Sequence, residues 1–262
     1  MLRPRIIPCL LVKNGGLVKT VNFDHPKYVG DPINAVRIFN EKEVDELIVL
    51  DIDASVQNRE PDYALIRNLA GECRMPLCYG GGVRNVEQFE RIVSLGVEKV
   101  AVSSTAVRTP ELISRAAEVV GGQSVVVVMD VRRDPGTKKY QLRMHNGKVH
   151  CDREPAEFAA EVERLGAGEI VVNSIDHDGV MKGYDLELAR TIRRASTLPM
   201  SVLGGAGKLQ DIADLIREFG IVGAAAGSLF VFKGSLRAVL INYPSRAQRD
   251  ALFEECNGRQ NR

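Results

Sequence analysis

Two glycine clusters stand where a backbone could approach an anion closely: Gly80-Gly81-Gly82 and Gly204-Gly205-Ala206-Gly207. Each follows a short apolar run and precedes a strand end built from small residues, Ser103-Ser104 after the first and Gly227-Ser228 after the second. Exposed N–H groups at such glycines, completed by the start of a following helix, make a phosphate cradle. Two cradles suit an elongated substrate with a phosphate at each end, and tight turns are the competing explanation of the glycines. Between them runs Val126-Val127-Val128-Met129-Asp130, where period-two alternation turns Val126, Val128 and Asp130 to one side. Asp130 is therefore the candidate general acid or base.

A third group is Arg5, Glu46, Lys99 and Glu169, each at the beginning of a strand-like run. Two cations and two anions inside one barrel mouth can neutralise one another. Buried ion pairs contribute little net stability, so a functional reason for them is expected, with a solvated rim of ordinary salt bridges as the alternative. The four histidines, His25, His145, His150 and His177, are assigned to loops. His150-Cys151-Asp152 lacks a partner at metal-ligand spacing, and no metal or cofactor is expected. His177, between Asp176 and Asp178, could titrate near neutral pH.

Eight short apolar runs must position these groups: Ile6 to Leu11, Leu47 to Asp51, Pro76 to Tyr79, Val100 to Ser103, Val125 to Asp130, Ile170 to Asn173, Met200 to Leu203 and Val222 to Ala226. Being apolar at nearly every position, they suit parallel strands covered on both faces. Helix-start signals lie between them at Asp31-Pro32, Asn85, Thr109-Pro110 and Asp185. Eight β/α units in a chain of 262 residues describe a closed (β/α)8 barrel, whereas the Lys13-Asn14-Gly15-Gly16 turn is not a dinucleotide-binding fingerprint. Two insertions, Asn14 to Gly30 and Arg132 to Arg153, follow carboxyl strand ends, and the second contains an Asn146-Gly147 hairpin turn. The chain also repeats itself at an offset of about 119 to 125 residues: Pro76 to Gly82 answers to Pro199 to Gly205, and Gly96 to Ser104 to Gly220 to Ser228. A single barrel of two half-barrels, 1–122 and 123–245, with a C-terminal extension over 246–262, is expected. At the repeat position of Asp130 the first strand has Leu11, so one carboxylate of a symmetric pair is missing.

Composition narrows the partners. With 45% apolar and 26% charged residues, the chain can bury a sizeable core. Thirty-five basic against thirty-four acidic residues give a net charge of +1 and no footprint for nucleic acid or an anionic membrane. No apolar run approaches the roughly 18 residues of a membrane span, and a cytoplasmic location is expected. The five cysteines contain no Cys-x-x-Cys pair and read as reduced thiols.

The sequence resembles the cyclase subunit of imidazole glycerol phosphate synthase, HisF, over nearly its whole length. The resemblance is carried by Arg5-Ile6-Ile7 through Gly15, Gly30-Asp31-Pro32, Asp45-Glu46-Leu47, Gly80-Gly81-Gly82, Gly166-Ala167-Gly168-Glu169, Ser174-Ile175-Asp176 and Gly204-Gly205-Ala206-Gly207-Lys208. It implies a half-barrel duplication and an enzyme that uses ammonia from a separate glutaminase subunit. The reaction cleaves a phosphoribulosyl formimino-carboxamide ribotide into imidazole glycerol phosphate and an aminoimidazole ribotide. On this resemblance Asp130 is the second catalytic aspartate, Lys19 a functional lysine of a mobile first loop, and Asp51 and Asp176 retained acids at strand ends. Gly81, Gly82, Ser103, Ser104, Gly204, Gly205, Gly227 and Ser228 would hold phosphates, and Arg5, Glu46, Lys99 and Glu169 would gate ammonia entry from the docked glutaminase.

The sequence departs from the family's pattern where substrate would lie. Leu11 replaces the first catalytic aspartate, Ser103 an asparagine, Asn173 a threonine and Leu203 a serine. Pro8 through Lys19 resembles a HisF-like branch associated with sugar amidation in bacterial surface-polysaccharide synthesis, in which ammonia passes to a separate sugar amidotransferase. Three readings follow: that specialised subunit, in a heterodimer with a glutaminase; a histidine-pathway cyclase in which Asp51 or Asp176 replaces the lost acid; or a scaffold that docks and activates a glutaminase without chemistry of its own. The related isomerase of histidine synthesis is disfavoured at both ends of the barrel.

Overall fold

In a computed structural model, which describes residues 3–234 and 236–260, eight parallel strands close into a barrel. They are β1 (Arg5–Lys13), β2 (Leu47–Asp51), β3 (Leu77–Gly80), β4 (Lys99–Val102), β5 (Val125–Arg133), β6 (Glu169–Ser174), β7 (Met200–Leu203) and β8 (Gly223–Ala226). Each pairs with its sequence neighbours, and β1 closes on β8 through Arg5 opposite Gly223 to Pro8 opposite Ala226. The expected strands therefore all form, with ends displaced by at most three residues.

Alternation along the strands divides the core in two. On β1, Ile6, Leu10 and Val12 face the helices, while Ile7 and Cys9 face the barrel interior. On β5, Val125, Val127 and Met129 face outward and Val126 and Val128 inward. The interior is completed by Ile48, Cys78, Ala101, Val171, Leu203 and Ala225, with Leu11 and Leu50 packed against it at the carboxyl end. Each large apolar side chain so buried contributes about 1.5 to 3 kcal/mol.

Three of the four expected helix starts are N-caps: Asp31, Asn85 and Asp185 accept from the backbone N–H groups of Asn34, Gln88 and Leu188. Such caps contribute about 1 kcal/mol each. At the fourth, Thr109 closes the short helix Ser104–Arg108, and the next helix, Glu111–Val120, begins after Pro110.

Both insertions are antiparallel ribbons continuing barrel strands. Asn14 and Gly15, both at positive φ, make the two-residue turn that folds Gly16–Val21 back onto β1, and Asp24–Gly30 then pairs with Gly16–Val21. The second ribbon pairs β5 with Tyr140–Met144 and that strand with Val149–His150. His25 and His150 therefore lie on ribbon strands rather than in loops. Past the barrel, the Tyr243 hydroxyl donates to the Ile6 carbonyl at 2.8 Å, and the helix Arg246–Gln260 packs on the barrel through Phe253 and Cys256. Positions 261 and 262 of the expected C-terminal extension lie outside the described residues.

Candidate active site and charged mouth

At the carboxyl ends of the strands a cavity of about 1050 Å³, counting its open mouth, is bounded by Lys19, Asp51, Asp130, Asn173 and Asp178 among others. Asp130 ends the inward row of β5. Its Oδ2 accepts from Ser103 Oγ at 3.0 Å and its Oδ1 from Asn173 Nδ2 at 2.9 Å. Ser103 directly follows β4, and Asn173 stands opposite Asp130 in the register of β5 with β6, so closure of the barrel supplies both partners. Burial pushes the Asp130 carboxyl up to about 6; the hydrogen bonds from Asn173 and Ser103 hold it down in part, and the Asp178 charge adds to the rise. A carboxyl poised there can exchange protons near neutral pH.

Lys19 lies on the ribbon strand Gly16–Val21, where it is buried rather than held out on a loop. Its ammonium donates to the Cys9 carbonyl at 2.6 Å, and burial lowers its pKa against the opposing pull of Cys9 and Asp178. Gly227 makes room for it: a Cβ at 227 would stand 2.3 Å from Lys19 Nζ.

The acids at the other strand ends divide. Asp51 lines the cavity, but its Oδ1 is taken by the backbone N–H groups of Asp53 (3.1 Å) and Ala54 (3.0 Å), with the Arg59 guanidinium at 3.5 Å. Asp176 is exposed and outside the cavity lining: it accepts from the Arg133 N–H at 2.7 Å and lies 3.7 Å from Arg132 Nε. Asp178, which the sequence did not single out as catalytic, lines the cavity in its place. It accepts from Thr20 Oγ1 at 2.7 Å, and burial raises its carboxyl against the effects of Thr20 and Lys19. Strand alternation ends at Ser174, and the turn that follows presents Asp178 inward.

Of the eight residues assigned to phosphate, Gly81, Gly82, Ser103, Ser104, Gly227 and Ser228 line the cavity. Gly204 and Gly205 do not. Gly205 is packed against the 177–183 turn, its carbonyl accepting from Gly183 N at 2.9 Å, with no space for a Cβ. At the first cluster, Gly82 N donates to Ser55 Oγ at 3.2 Å, and Ser104 Oγ accepts from the backbone N–H of His145 at 3.0 Å. His145 thereby comes into the cavity wall, while His177 contacts Ser174 Oγ through Nδ1 at 2.9 Å. Leu11, Leu50 and Leu203 make an apolar floor beneath Asp130.

At the opposite end, the four charged residues form one closed network. Arg5 donates to Glu46 and to Glu169 Oε1 (2.8 Å), and Lys99 Nζ to Glu46 Oε1 (2.7 Å) and Glu169 Oε2 (2.8 Å). Burial alone would raise the Glu169 carboxyl, but Arg5 and Lys99 outweigh it and hold the pKa below its usual value. The same attraction raises Lys99 against its own burial. Ser201, fully buried on β7, adds a hydrogen bond to Glu169 Oε1 at 2.5 Å. Sequence reading missed it, although it shares inward parity with Leu203.

A (β/α)8 barrel with a half-buried, near-neutral carboxyl at the strand carboxyl ends defines an enzyme scaffold of the kind whose chemistry sits on that rim. Among the described residues no helix is long and apolar enough to cross a membrane. Residues 5–237 match the histidine biosynthesis protein family. A Leptospira interrogans protein provisionally named as imidazole glycerol phosphate synthase subunit HisF is 57% identical over 253 residues, 97% of this chain and 100% of its own. A Vibrio vulnificus protein, likewise provisionally named as a HisF subunit of that synthase, is 54% identical over 254 residues, 97% of this chain and 98% of its own. The imidazole glycerol phosphate synthase subunit HisF of Clostridium botulinum strain Okra is 39% identical over 233 residues, 89% of this chain and 92% of its own. The chain belongs to the histidine biosynthesis family and, within it, to the HisF-type synthase subunits.

Proposed function

We propose that this protein is an ammonia-handling HisF-type subunit that receives ammonia from a glutaminase docked at the amino ends of the strands. The nitrogen serves amidation of a sugar in surface-polysaccharide synthesis, through a separate sugar amidotransferase, rather than imidazole formation. The observation that carries the reading is the pairing of an intact charged mouth with an altered chemical rim. Four charges converge in one part-buried network around two buried carboxylates, an arrangement whose desolvation cost makes a purely structural role a poor explanation. At the other end, Leu11 and Leu203 lay apolar surface beneath Asp130. A cytoplasmic location fits such a partnership.

The second reading, a histidine-pathway cyclase, is favoured by one specific observation: Asp178 lines the cavity with Asp130 and could supply the second acid, a role Asp176 is too far outside to fill. Two phosphate sites remain part of both readings, near Gly82 with Ser104 and near Ser228.

The test measures glutamine hydrolysis by the partner glutaminase with and without this chain, and imidazole glycerol phosphate formation from the phosphoribulosyl substrate. Stimulated hydrolysis without imidazole product, and with sugar amidation when the amidotransferase is added, is expected. Imidazole product at rates comparable to hydrolysis would establish the cyclase instead. Stimulation with no transfer to either acceptor would leave a docking scaffold, and no stimulation would overturn the partnership.

A further inference from the structure

Exposed apolar side chains gather at one corner of the carboxyl face. After β8 and the short helix Ser228–Val231, the chain makes a hairpin in which Phe232–Lys233 pairs antiparallel with Ala238–Val239. Leu236 at its turn is 92% exposed, the most of any large apolar residue described, and Val239 and Leu240 are exposed on the way back. The hairpin is fixed in place. Arg237 donates to the Gly179 carbonyl at 3.1 Å, Leu240 N to the Val231 carbonyl at 2.9 Å, and Lys27 Nζ stands 5.5 Å from the centre of the Phe232 ring. These contacts join it to the 177–183 turn and to the ribbon strand Asp24–Gly30, whose Tyr28 is exposed with its ring packed on Gly16. Single exposed apolar residues are ordinary on a globular protein; a group of them on a fixed corner marks contact with another molecule.

Charge selects that molecule. Among the described residues the lysines that pair with a carboxylate are Lys13 and Lys99, whereas Lys27, Lys182, Lys208 and Lys233, all exposed at this corner, have no such partner. Lys182 and Lys208 border one depression beside Met181. Of the acids close by, Asp211 is taken by the N–H groups of Gly207 and Lys208, and Asp24 lies beside His25. An apolar centre with unanswered cations around it fits a protein face that has an apolar hollow inside an acidic rim. A membrane surface fits less well, because the apolar group sits on a hairpin turn rather than along an amphipathic helix, and the chain as a whole carries only +1. The corner also borders the cavity: Lys19, Thr20 and Phe23 of the ribbon, and Gly227 and Ser228 just before the hairpin, belong to the cavity wall.

We propose that this corner, centred on Leu236 and ringed by Lys27, Lys182 and Lys233, is the docking surface for the sugar amidotransferase, whose matching face is apolar with an acidic rim. The assignment rests on the sugar-amidation reading and adds to it where the acceptor enzyme sits. Glutaminase and amidotransferase then occupy opposite ends of the barrel and can be bound at the same time.

The probe is the purified amidotransferase, titrated against the full chain in complex with its glutaminase and followed by biolayer interferometry. Binding should weaken as salt rises, because rim lysines steer and hold an acidic face. Leu236→Asp puts a charge into the apolar centre and should raise the Kd at least about tenfold. Lys233→Glu should raise it about threefold or more, mainly through slower association. Both side chains are exposed and outside the cavity wall, so glutamine hydrolysis and the melting midpoint should be unchanged in either variant. Unaltered affinity in both variants would overturn the surface and leave the sugar-amidation reading standing. Vesicles of phosphatidylglycerol that pellet the unmodified chain but not Leu236→Asp would assign the corner to lipid, and self-association lost in that variant would assign it to a second copy; either result overturns the proposal. An unmodified complex that neither binds the amidotransferase nor passes nitrogen to the sugar would remove the reading itself, and the surface with it.

Discussion

Replacing Lys99 with alanine takes one cation out of the charged mouth and leaves Glu46 and Glu169 facing Arg5 alone. The Lys99 ammonium lies 2.7 Å from Glu46 and 2.8 Å from Glu169, and both carboxylates are under 5% exposed. Removing one partner of a buried pair costs about 3 to 5 kcal/mol because a charge is left unanswered. The side chains of Lys99 and Arg5 are 19% and 27% exposed, so water reaches the mouth and the lower end, about 3 kcal/mol, is expected. For a domain of this size that lowers the melting midpoint by roughly 6 to 12 °C. The pH dependence has a definite sign. Glu169 is held below its ordinary value of 4.5, so its contribution is present above that pH and is lost as pH falls through the depressed native value. The variant's deficit should therefore be full at pH 7 and shrink below about pH 4.5. Functionally, the ratio of transferred nitrogen to glutamate should fall when glutamine is the source and change much less with added ammonium. The assay follows both products with each nitrogen source, using protein whose folded fraction is known from its melting curve. An unchanged ratio with glutamine would remove the ammonia conduit, and an unchanged melting point would show that the ring is a solvated rim.

Leu11→Asp restores a carboxylate to the cavity floor, where a well-placed acid contributes about 10²- to 10⁴-fold. Leu11 packs on Leu50 and the interior cluster, so a small gain in cyclisation with free ammonia, or none, is expected, and a gain near the upper figure would refute the view that the rim has been remodelled. Asp130 has a native pKa of about 6 against 3.8, so the folded state favours the protonated form and the ionisation penalty is absent below about pH 4 and fully present above about pH 6. Asp130→Asn should thus gain more stability at pH 8 than at pH 4. The shift sets a ceiling of about 3 kcal/mol, which partial exposure and the mismatched donors of Ser103 and Asn173 reduce to about 1 kcal/mol; a difference independent of pH in urea titrations would contradict it. Gly205→Ala places a Cβ 2.1 Å from the Gly183 carbonyl at a φ of +117°, and should cost about 3 kcal/mol or prevent folding, read from the denaturation midpoint. Phosphate soaked into crystals should appear near Gly82 with Ser104 and near Ser228, the first site being weaker because Ser55 already occupies the Gly82 N–H; empty rims at high phosphate would reject both.

Periodicity was enough to find the barrel from the sequence, because parallel strands buried on both faces are written as apolar runs and their parity carries through the whole strand. That is why the sequence alone turns Val126, Val128 and Asp130 inward and brings Arg5, Glu46, Lys99 and Glu169 to one mouth. Caps at Asp31, Asn85 and Asp185 were legible for the same local reason, since one side-chain oxygen answers a backbone N–H three residues on. Parity stops where a strand stops. The turn after Ser174 reverses the expectation for Asp176, which goes to solvent, and brings into the cavity Asp178, for which the sequence offered no signal. Burial of Lys19, assigned by resemblance to a mobile loop, depends on the ribbon folding over Cys9 and on the space left by Gly227, contacts made across the closure of the sheet. The hydrogen bonds of Ser103 and Asn173 to Asp130 and the reach of Ser201 to Glu169 likewise join neighbouring strands whose residues are far apart in sequence. A local pattern specifies which way a side chain points along its own strand; which acceptor it meets there is set only when the eight strands close and water is excluded.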